Sequence, residues 1–438
     1  MAIFSPPEFG LAIALFLLLL IFSRVPIAFA LITSSIIGLL FLSDFPGLIY
    51  ALQTIPFDRI ATWSLLPIPL FIIMGNFAFV AGIAEKAFGA ANKWLGWLPG
   101  GLGIAAIGAC SLFAACSGSS VATAGVMGRT ALPEMLKNKY DKRLATGIIA
   151  SGGLLGIMIP PSVIFVIYGI ATEQSIPRLL LAGVFPGLLT AFLFSVTILI
   201  LATWKPEMTP GRSRATWKSK LSSTKDVWGI VVLAAIIMGG MYTGIFTASE
   251  AAAVGALFGL LLAVLKGRKA YQGIIEAFKG TTTTSSMIFF LIIGGGLMSF
   301  TISLGGVPQW FVGKITTLQV ERVWVLIIII GIYFLLGCFI DTISMMLITL
   351  PVVVPVIVAL KYDPIWFGVL VVKFVELGQI TPPFGVNVYV IKGVSPPDVS
   401  LEDVFRGTFP FLIAEFVSLA ILVAFPSISL WLPNAMRG

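Results

Sequence analysis

The sequence contains no histidine and only three cysteines in 438 residues. Without histidine there can be no histidine proton relay, no Ser-His-Asp triad and no histidine-ligated zinc. Three cysteines cannot form a framework of several disulfides. The phosphate-binding pattern G-x-x-x-x-G-K-[ST] is also absent, which excludes a P-loop. These absences argue against the corresponding classes of enzyme and against transport driven by ATP bound to this chain.

Charged residues are scarce as well. They make up 11% of the chain, whereas a soluble protein carries roughly 25%. Hydrophobic residues make up 58%, and apolar stretches of about 20 residues recur, each long enough to cross a hydrocarbon core of about 30 Å. The sequence therefore predicts an all-α polytopic membrane protein. Its net charge of +8 indicates basic cytoplasmic loops, and no nucleic-acid partner is expected.

One short motif occurs in both halves of the chain. Residues 156–161 read GIMIPP, and residues 378–383 read GQITPP. Each lies in an apolar run, where a Pro-Pro pair breaks a helix because proline has no N–H to donate and its ring clashes with the preceding turn. Broken helices at corresponding positions of two halves indicate the binding site of a membrane transporter.

The repeat extends over most of the chain, because the same offset relates Cys116 to Cys338 and Pro133 to Pro355. Each half is predicted to hold five transmembrane helices, an amphipathic stretch and one re-entrant helical hairpin. An odd number of crossings inverts the second half relative to the first. With the solvated basic linker at 205–225 placed in the cytoplasm, most of the 27 Lys and Arg lie on that side, and both termini are predicted to lie outside. The predicted crossings are 9–23, 25–43, 65–83, 144–169, 178–204, 226–246, 249–266, 283–303, 364–393 and 405–432, with amphipathic stretches at 83–98 and 306–320 and hairpins at 99–135 and 322–360.

Each predicted hairpin tip carries hydroxyl or carboxyl groups at membrane depth. The first tip is Ser-Gly-Ser-Ser at 117–120, and the second begins with Asp341 and Thr342. Hydroxyls, and the backbone carbonyls that the prolines leave free, are hard oxygen ligands suited to Na⁺. Helix N-termini beyond each break would attract an anion. Two alternatives stay open, since small residues at 117–120 also allow close helix packing and Asp341 could serve only as a helix cap.

Two further polar groups lie near the second break. Lys373 and Glu376 are three residues apart, so they could form an ion pair on one helix face. Alternatively, Lys373 could attract an anionic substrate. Asn387 lies on the helix that continues after the break, where its amide could face a cavity.

Taken together, these motifs resemble the large membrane subunit of TRAP (tripartite ATP-independent periplasmic) transporters over essentially the whole chain. The segments that carry the resemblance are AACSGSS at 114–120, GIMIPPSVIFVIYG at 156–169, AGVFPG at 182–187, TASEA at 247–251, and the stretches 337–355 and 367–385. The resemblance implies a secondary active transporter subunit rather than an enzyme. It implies Na⁺-coupled, elevator-type import of a small organic acid across a bacterial inner membrane, with no organic cofactor. A C4-dicarboxylate, a sialic or sugar acid, or a keto acid would be the substrate.

The resemblance also implies a division into functional units and sites. Scaffold helices and an arm would occupy 1–98, a transport unit 99–204, the linker 205–225, a second scaffold and arm 226–320, and a second transport unit 321–438. The first sodium site would comprise Ser117, Ser119, Ser120, Gly152, Gly156 and Pro160. The second would comprise Asp341, Thr342, Gly378, Thr381 and Pro382. The substrate would bind at Ser120, Ser162, Lys373, Gly385 and Asn387.

Two protein partners are implied in the same way. One is a soluble periplasmic substrate-binding protein. The other is a small membrane subunit, expected as a separate chain because this sequence starts at its own first helix. The alternative function is a stand-alone Na⁺/carboxylate symporter of the same inverted-hairpin architecture, which would need neither partner.

Overall fold

The computed structural model describes residues 5–211, 215–318 and 320–436, and in those ranges it is built from helices without a β-strand. Arg212 and Arg214 of the predicted linker, and the extreme termini predicted to be periplasmic, lie outside the described residues. The helices of the first half are α1 Pro6–Phe22, α2 Ile27–Leu42, α3 Phe45–Ile60, α4 Pro67–Val80, α5 Ile83–Leu95, α6 Gly101–Ser117, α7 Ser120–Lys137, α8 Lys142–Gly152, α9 Leu155–Met158, α10 Val163–Thr172, α11 Ile176–Ala182 and α12 Val184–Trp204. Those of the second half are α13 Trp217–Asp226, α14 Trp228–Tyr242, α15 Ala248–Val264, α16 Tyr271–Leu304, α17 Val307–Leu318, α18 Arg322–Gly337, α19 Thr342–Ala359, α20 Pro364–Ile380, α21 Val386–Val394, α22 Leu401–Ala424 and α23 Ser427–Ala435.

Several helices are long and apolar enough to cross a membrane. Among the described residues these are Trp63–Val80, Ile176–Trp204, Tyr271–Leu304, Thr342–Ala359 and Leu401–Ala424. Two bent pairs meet the same criteria when each is taken as one span, and five more apolar helices are shorter. The chain is thus a polytopic, all-helical membrane protein, while the number of crossings per half stays a prediction.

The first half contains a helix that the sequence patterns did not predict. Helix α3 begins after Asp44, whose carboxylate accepts the Gly47 N–H at 3.0 Å. In chain order, α3 and α4 correspond to the single 34-residue helix α16 of the second half. The difference has a local cause, because Pro67 and Pro69 lie at the start of α4 whereas α16 contains no proline. Proline interrupts a helix at the preceding turn.

The prediction of a plain solvated loop at 205–225 is wrong for its second part. Residues 217–226 form α13, which packs against α5. Trp94 of α5 donates its indole N–H to Thr224 at 3.2 Å and meets Trp217 edge to face, with ring centroids 6.2 Å apart. These contacts give a short basic segment an apolar partner, which is what allows it to form a helix.

Three consecutive glycines at 294–296 bring α16 close to three other helices. A methyl group on Gly294 would lie 2.9 Å from the Ala28 carbonyl oxygen of α2. On Gly295 it would lie 2.7 Å from Cβ of Leu347 in α19, and on Gly296 it would lie 2.8 Å from Cγ of Arg59 in α3. Small residues permit such close helix packing in membranes. This face of α16 therefore fits against its neighbours only because these three residues are glycines, which have no side chain.

The remaining packing places the hairpins beside the broken helices. The main contacts of the early helices are α4 with α15 and α2 with α16. Hairpin α6–α7 lies against α8 and α9, and hairpin α18–α19 lies against α20. The halves also exchange contacts, since α21 packs on α7 and α10 packs on α19. Both hairpin tips and both helix breaks consequently converge on one region.

Candidate substrate and cation site

A cavity of about 600 Å³ lies where the two hairpin tips and the two broken helices meet. Its wall includes tip residues 118–122, 337 and 339–343, and residues 378–379 and 384–386 around the second break. Helices α4 and α16 close the opposite side with Ile72, Thr284, Met287 and Ile288. The cavity is therefore bordered by hairpins on one side and by early helices of each half on the other.

The first break bends the helical path from Lys142–Met158 to Val163–Thr172 by 43°. Residues 159–162 separate the two arms, and the peptide bond between Pro160 and Pro161 is cis. The first tip touches this break directly, because the Val163 N–H donates to the Gly118 carbonyl at 3.4 Å. Gly118 has φ +62°, a conformation that glycine adopts without steric cost. Tip and break are thus in hydrogen-bonding contact.

Oxygen atoms converge on Gly156. A methyl group there would lie 2.5 Å from the Thr123 hydroxyl and would collide with the Ser119 carbonyl. The hydroxyls of Ser117 and Thr123 are 2.7 Å apart. Glycine at 156 therefore leaves room for a cradle of hydroxyl and carbonyl oxygens, which is the donor set a hard cation prefers.

The other predicted members of the first sodium site, Gly152 and Pro160, lie behind the cavity wall. Gly152 is buried, and a methyl group on it would lie 2.8 Å from the Cys110 sulfur, so this glycine serves helix packing. Pro160 is buried in the break. Neither is part of the cavity wall described above. The structure thus brings Ser117, Ser119, Ser120 and Gly156 together.

The second tip is built around a charged cap. One carboxylate oxygen of Asp341 accepts the N–H groups of Ile343 and Ser344 at 3.1 and 3.2 Å. Asp341 is nevertheless exposed to the cavity, so the cap and the cation-ligand interpretations are compatible. A methyl group on Gly378 would lie 2.5 Å from the Gly337 carbonyl oxygen, which shows how closely tip and break approach.

The second break ends α20 at Ile380. The Thr381 hydroxyl donates to the Leu377 carbonyl, and Thr381 is buried while Pro382 is exposed. The peptide bond between Pro382 and Pro383 is cis. Gly385, at φ +35°, starts α21 and lines the cavity. Asp341, Thr342, Gly378 and Gly385 therefore share the cavity wall, with Thr381 buried beside it.

Gln379 joins the two tips, and sequence reasoning assigned it no role. Its side-chain oxygen accepts the Ser120 hydroxyl, and its amide nitrogen donates to the Thr342 hydroxyl at 3.1 Å. The only signal in the sequence was an amide side chain between Gly378 and the Pro-Pro pair, near the end of a mostly apolar helix. Its two partners lie far apart in the sequence, so their meeting could not be inferred from it.

Lys373 does not line the cavity. The ammonium group is fully buried, 2.6 Å from Glu376 and 2.5 Å from Glu415, and it donates to the Thr190 hydroxyl at 2.8 Å. The ion-pair interpretation of Lys373 and Glu376 is therefore the one present in the structure. Direct substrate contact by Lys373 is absent from this arrangement, because two carboxylates and a hydroxyl enclose its charge.

Ser162 and Asn387 are also buried away from the described cavity wall. The Ser162 hydroxyl caps α10 by accepting the Phe165 N–H at 3.4 Å. The Asn387 amide donates to the Ala150 carbonyl at 3.2 Å, which joins α21 to α8. Of the five residues expected to bind substrate, Ser120 and Gly385 line the cavity.

Comparison with known proteins places this architecture in a family. Residues 13–428 match the family model described as "Tripartite ATP-independent periplasmic transporter, DctM component". The chain is 34% identical to the C4-dicarboxylate TRAP transporter large permease protein DctM of Vibrio cholerae, over 98% of this chain and 99% of that protein. It is 32% identical to the sialic acid TRAP transporter large permease protein SiaM of the same species, over 96% and 97% of the two chains.

A solved structure shares the fold. The Alcanivorax borkumensis YdaH transporter, whose crystal structure is described as having an unusual topology, superposes with a TM-score of 0.65 over 97% of this chain and 98% of that one. The two sequences are 14% identical, so this likeness concerns the fold alone. The sequence relatives carry the family assignment, and they are named as transporter permeases rather than enzymes. The chain belongs to the DctM family, the large permease subunits of TRAP transporters.

Proposed function

We propose that this permease imports a small carboxylate across a bacterial inner membrane, driven by Na⁺ that enters with it. The observation that carries the proposal is the single cavity bordered by both hairpin tips and both helix breaks. Relatives are named as transporters of C4-dicarboxylates, sialic acid and ectoine. A membrane cavity where several helices begin suits an anion, because helix N-termini carry free N–H groups and positive partial charge.

The donor atoms around the cavity fit two Na⁺ ions. The first would bind at the cradle of Ser119, Thr123 and Gly156, where a methyl group would displace it. The second would bind near Asp341 and the Gly337–Gly378 contact. Both sets are hydroxyl, carbonyl or carboxylate oxygens, and among the described residues no cluster of three His, Cys, Asp or Glu suggests a transition metal instead.

Transport would proceed by an elevator motion of inverted repeats. In this proposal the hairpins and broken helices of 99–204 and 321–438 form one moving unit, and the early helices within 1–98 and 226–320 form the frame. The packing of α4 on α15 and of α2 on α16 supports a frame assembled from both halves. Helices α5 and α17 would be the arms that connect frame and moving unit, with the 205–225 linker in the cytoplasm.

The proposal includes a periplasmic binding protein that delivers the substrate and a small membrane subunit. The family description and the names of the relatives support these partners. One relative, the isethionate permease of Oleidesulfovibrio alaskensis, is named DctMQ, and this chain matches 59% of its length. Proteoliposomes that contain the permease complex should take up substrate only with an inward Na⁺ gradient and the binding protein present.

Two controls make this experiment decisive. Replacing the Na⁺ gradient with an equal K⁺ gradient should abolish uptake, because oxygen-ligand sites distinguish between cations by cavity size and by the number of ligands. Full uptake in K⁺ would contradict Na⁺ coupling. Full uptake in Na⁺ without the binding protein would instead support the stand-alone symporter.

A further inference from the structure

The cavity contains one charged side chain among its described wall residues, and that side chain is the carboxylate of Asp341. No Lys or Arg belongs to this part of the wall, and Lys373 is enclosed by its two glutamates. Much of the remaining wall is aliphatic or aromatic, for example Ile72, Ile164, Met287, Ile288, Phe339 and Val375. The substrate therefore meets an apolar wall and no basic side chain.

The hydrogen-bond donors lie at the first tip. The Ala122 N–H bonds the Ser119 hydroxyl, whereas the N–H groups of Ser120 and Val121 belong to the first turn of α7 and have no intrahelical acceptor. Gln379 uses one amide hydrogen on Thr342, and an amide nitrogen carries two. One carboxylate can be held between these donors.

The second tip repels an anion. Asp341 already occupies the N–H groups of Ile343 and Ser344, and its negative charge faces the cavity. If two Na⁺ ions bind as proposed above, Asp341 neutralises one positive charge and leaves one for the substrate. A second substrate carboxylate would then be buried without a cationic partner, which is strongly unfavourable.

We infer that the substrate is a monocarboxylate with an apolar body. Its carboxylate binds at Gln379 and the start of α7, and its apolar body lies against Ile72, Met287 and Ile288. This inference rests on the proposed function and narrows the substrate class. It also makes Gln379 a specificity-determining residue.

The test measures binding to the purified permease complex in lipid nanodiscs by thermal stability. The probes are 4-methyl-2-oxopentanoate, succinate and N-acetylneuraminate, each titrated in Na⁺ and in K⁺. We expect a Na⁺-dependent rise in unfolding temperature with 4-methyl-2-oxopentanoate at a concentration at least roughly tenfold below that needed for the other two acids. Equal or tighter binding of succinate or N-acetylneuraminate would overturn the inference, as would the absence of any shift with the monocarboxylate.

Gln379 is tested by substitution. Gln379→Leu should weaken binding of the monocarboxylate by about tenfold or more, because it removes a hydrogen bond to a charged group. Gln379→Glu should abolish binding by placing a like charge against the carboxylate. Stabilisation by Na⁺ alone should persist in both variants and serves as the control for folding.

A matched control is Gln174→Leu, whose amide donates to the Thr172 carbonyl outside the cavity and which should bind as the unaltered protein does. Unchanged binding in Gln379→Leu would contradict the assigned role. Na⁺-dependent uptake of succinate or N-acetylneuraminate by the same complex in proteoliposomes would contradict the substrate class while supporting the proposed function, and Na⁺-independent uptake of all three acids would contradict the proposed function itself.

Discussion

The two hairpin tips border the same cavity and differ in charge. Helices α7 and α19 both begin at the cavity behind a capping side chain, but the cap is neutral Ser119 in one and the Asp341 carboxylate in the other. Ser119 accepts one N–H, whereas Asp341 accepts two. The two tips can therefore bind different ions: the start of α7, with its neutral cap, suits an anion, and the start of α19, with its carboxylate, suits a cation.

The largest effect is expected from Asp341→Asn. Asparagine can still accept the two N–H groups, so the cap should persist while the charge that attracts a cation is lost. We expect Na⁺-driven uptake to fall by about a hundredfold or more, since a carboxylate is the strongest oxygen ligand at this tip. Uptake into proteoliposomes, measured against Na⁺ concentration, checks this.

The matched control is Asp363→Asn. Asp363 caps α20 by accepting the N–H groups of Ile365 and Trp366 at 2.7 and 3.3 Å, and it lies outside the described cavity wall. Its variant should retain most uptake. Equal losses of uptake in the two variants would indicate that Asp341 acts only as a helix cap.

A smaller effect is expected when the neutral tip is made to resemble the charged one. Ser119→Asp retains an N-cap residue but places a carboxylate where the substrate anion is proposed to bind. Repulsion between like charges near a protein surface should weaken substrate binding by about tenfold or more, with Na⁺ binding retained. Thr216→Asp, at the exposed cap of α13, is the control. Unaltered substrate affinity in Ser119→Asp would place the anion elsewhere.

Gly156→Ala should have a moderate effect, confined to the first tip. The added methyl group would collide with the Ser119 carbonyl and the Thr123 hydroxyl, and such overpacking costs about 1–3 kcal/mol. Both the unfolding temperature and the stabilisation by Na⁺ should fall. Gly89→Ala adds the same methyl group to α5 where it would meet no neighbouring element within 4 Å, so it should be neutral or slightly stabilising. Identical behaviour of the two variants would show that the oxygen cradle around Gly156 does not bind the cation.

The smallest effect concerns orientation. Lys139 and Lys361 are exposed, follow α7 and α19, and share a positive φ of 59°, so they are equivalent positions in the two hairpins. If the repeats are inverted, a cysteine introduced at 139 should react only with reagents in the cytoplasm and one at 361 only with reagents in the periplasm, with little change in uptake. The three native cysteines are buried and provide a low background. Labelling of both from one side would contradict the inversion.

Local sequence was enough to locate the tips and the breaks. Proline and glycine act on the residues next to them, so the helix ends at Ser117, Met158 and Ile380 followed from the motifs themselves. The family also followed from those motifs and was confirmed by comparison with known proteins.

Partners far apart in the sequence could not be predicted. Glu415 approaches Lys373 from α22, and Gln379 meets Ser120 across the two halves, neither of which leaves a local pattern. Helix α13 was missed because its Trp217 and Thr224 find their partner, Trp94, on another helix. Tertiary packing overrides weak local preference in such segments.

The glycine face of α16 has a consequence for any sliding of one unit past another. Gly295 meets Leu347 of the second hairpin without a side chain of its own, and a methyl group there would lie 2.7 Å from Cβ of Leu347. If the hairpins move as proposed, Gly295→Ala should disfavour the arrangement of α16 and α19 seen here. The variant would then shift the carrier towards another state, which would be useful for structural study.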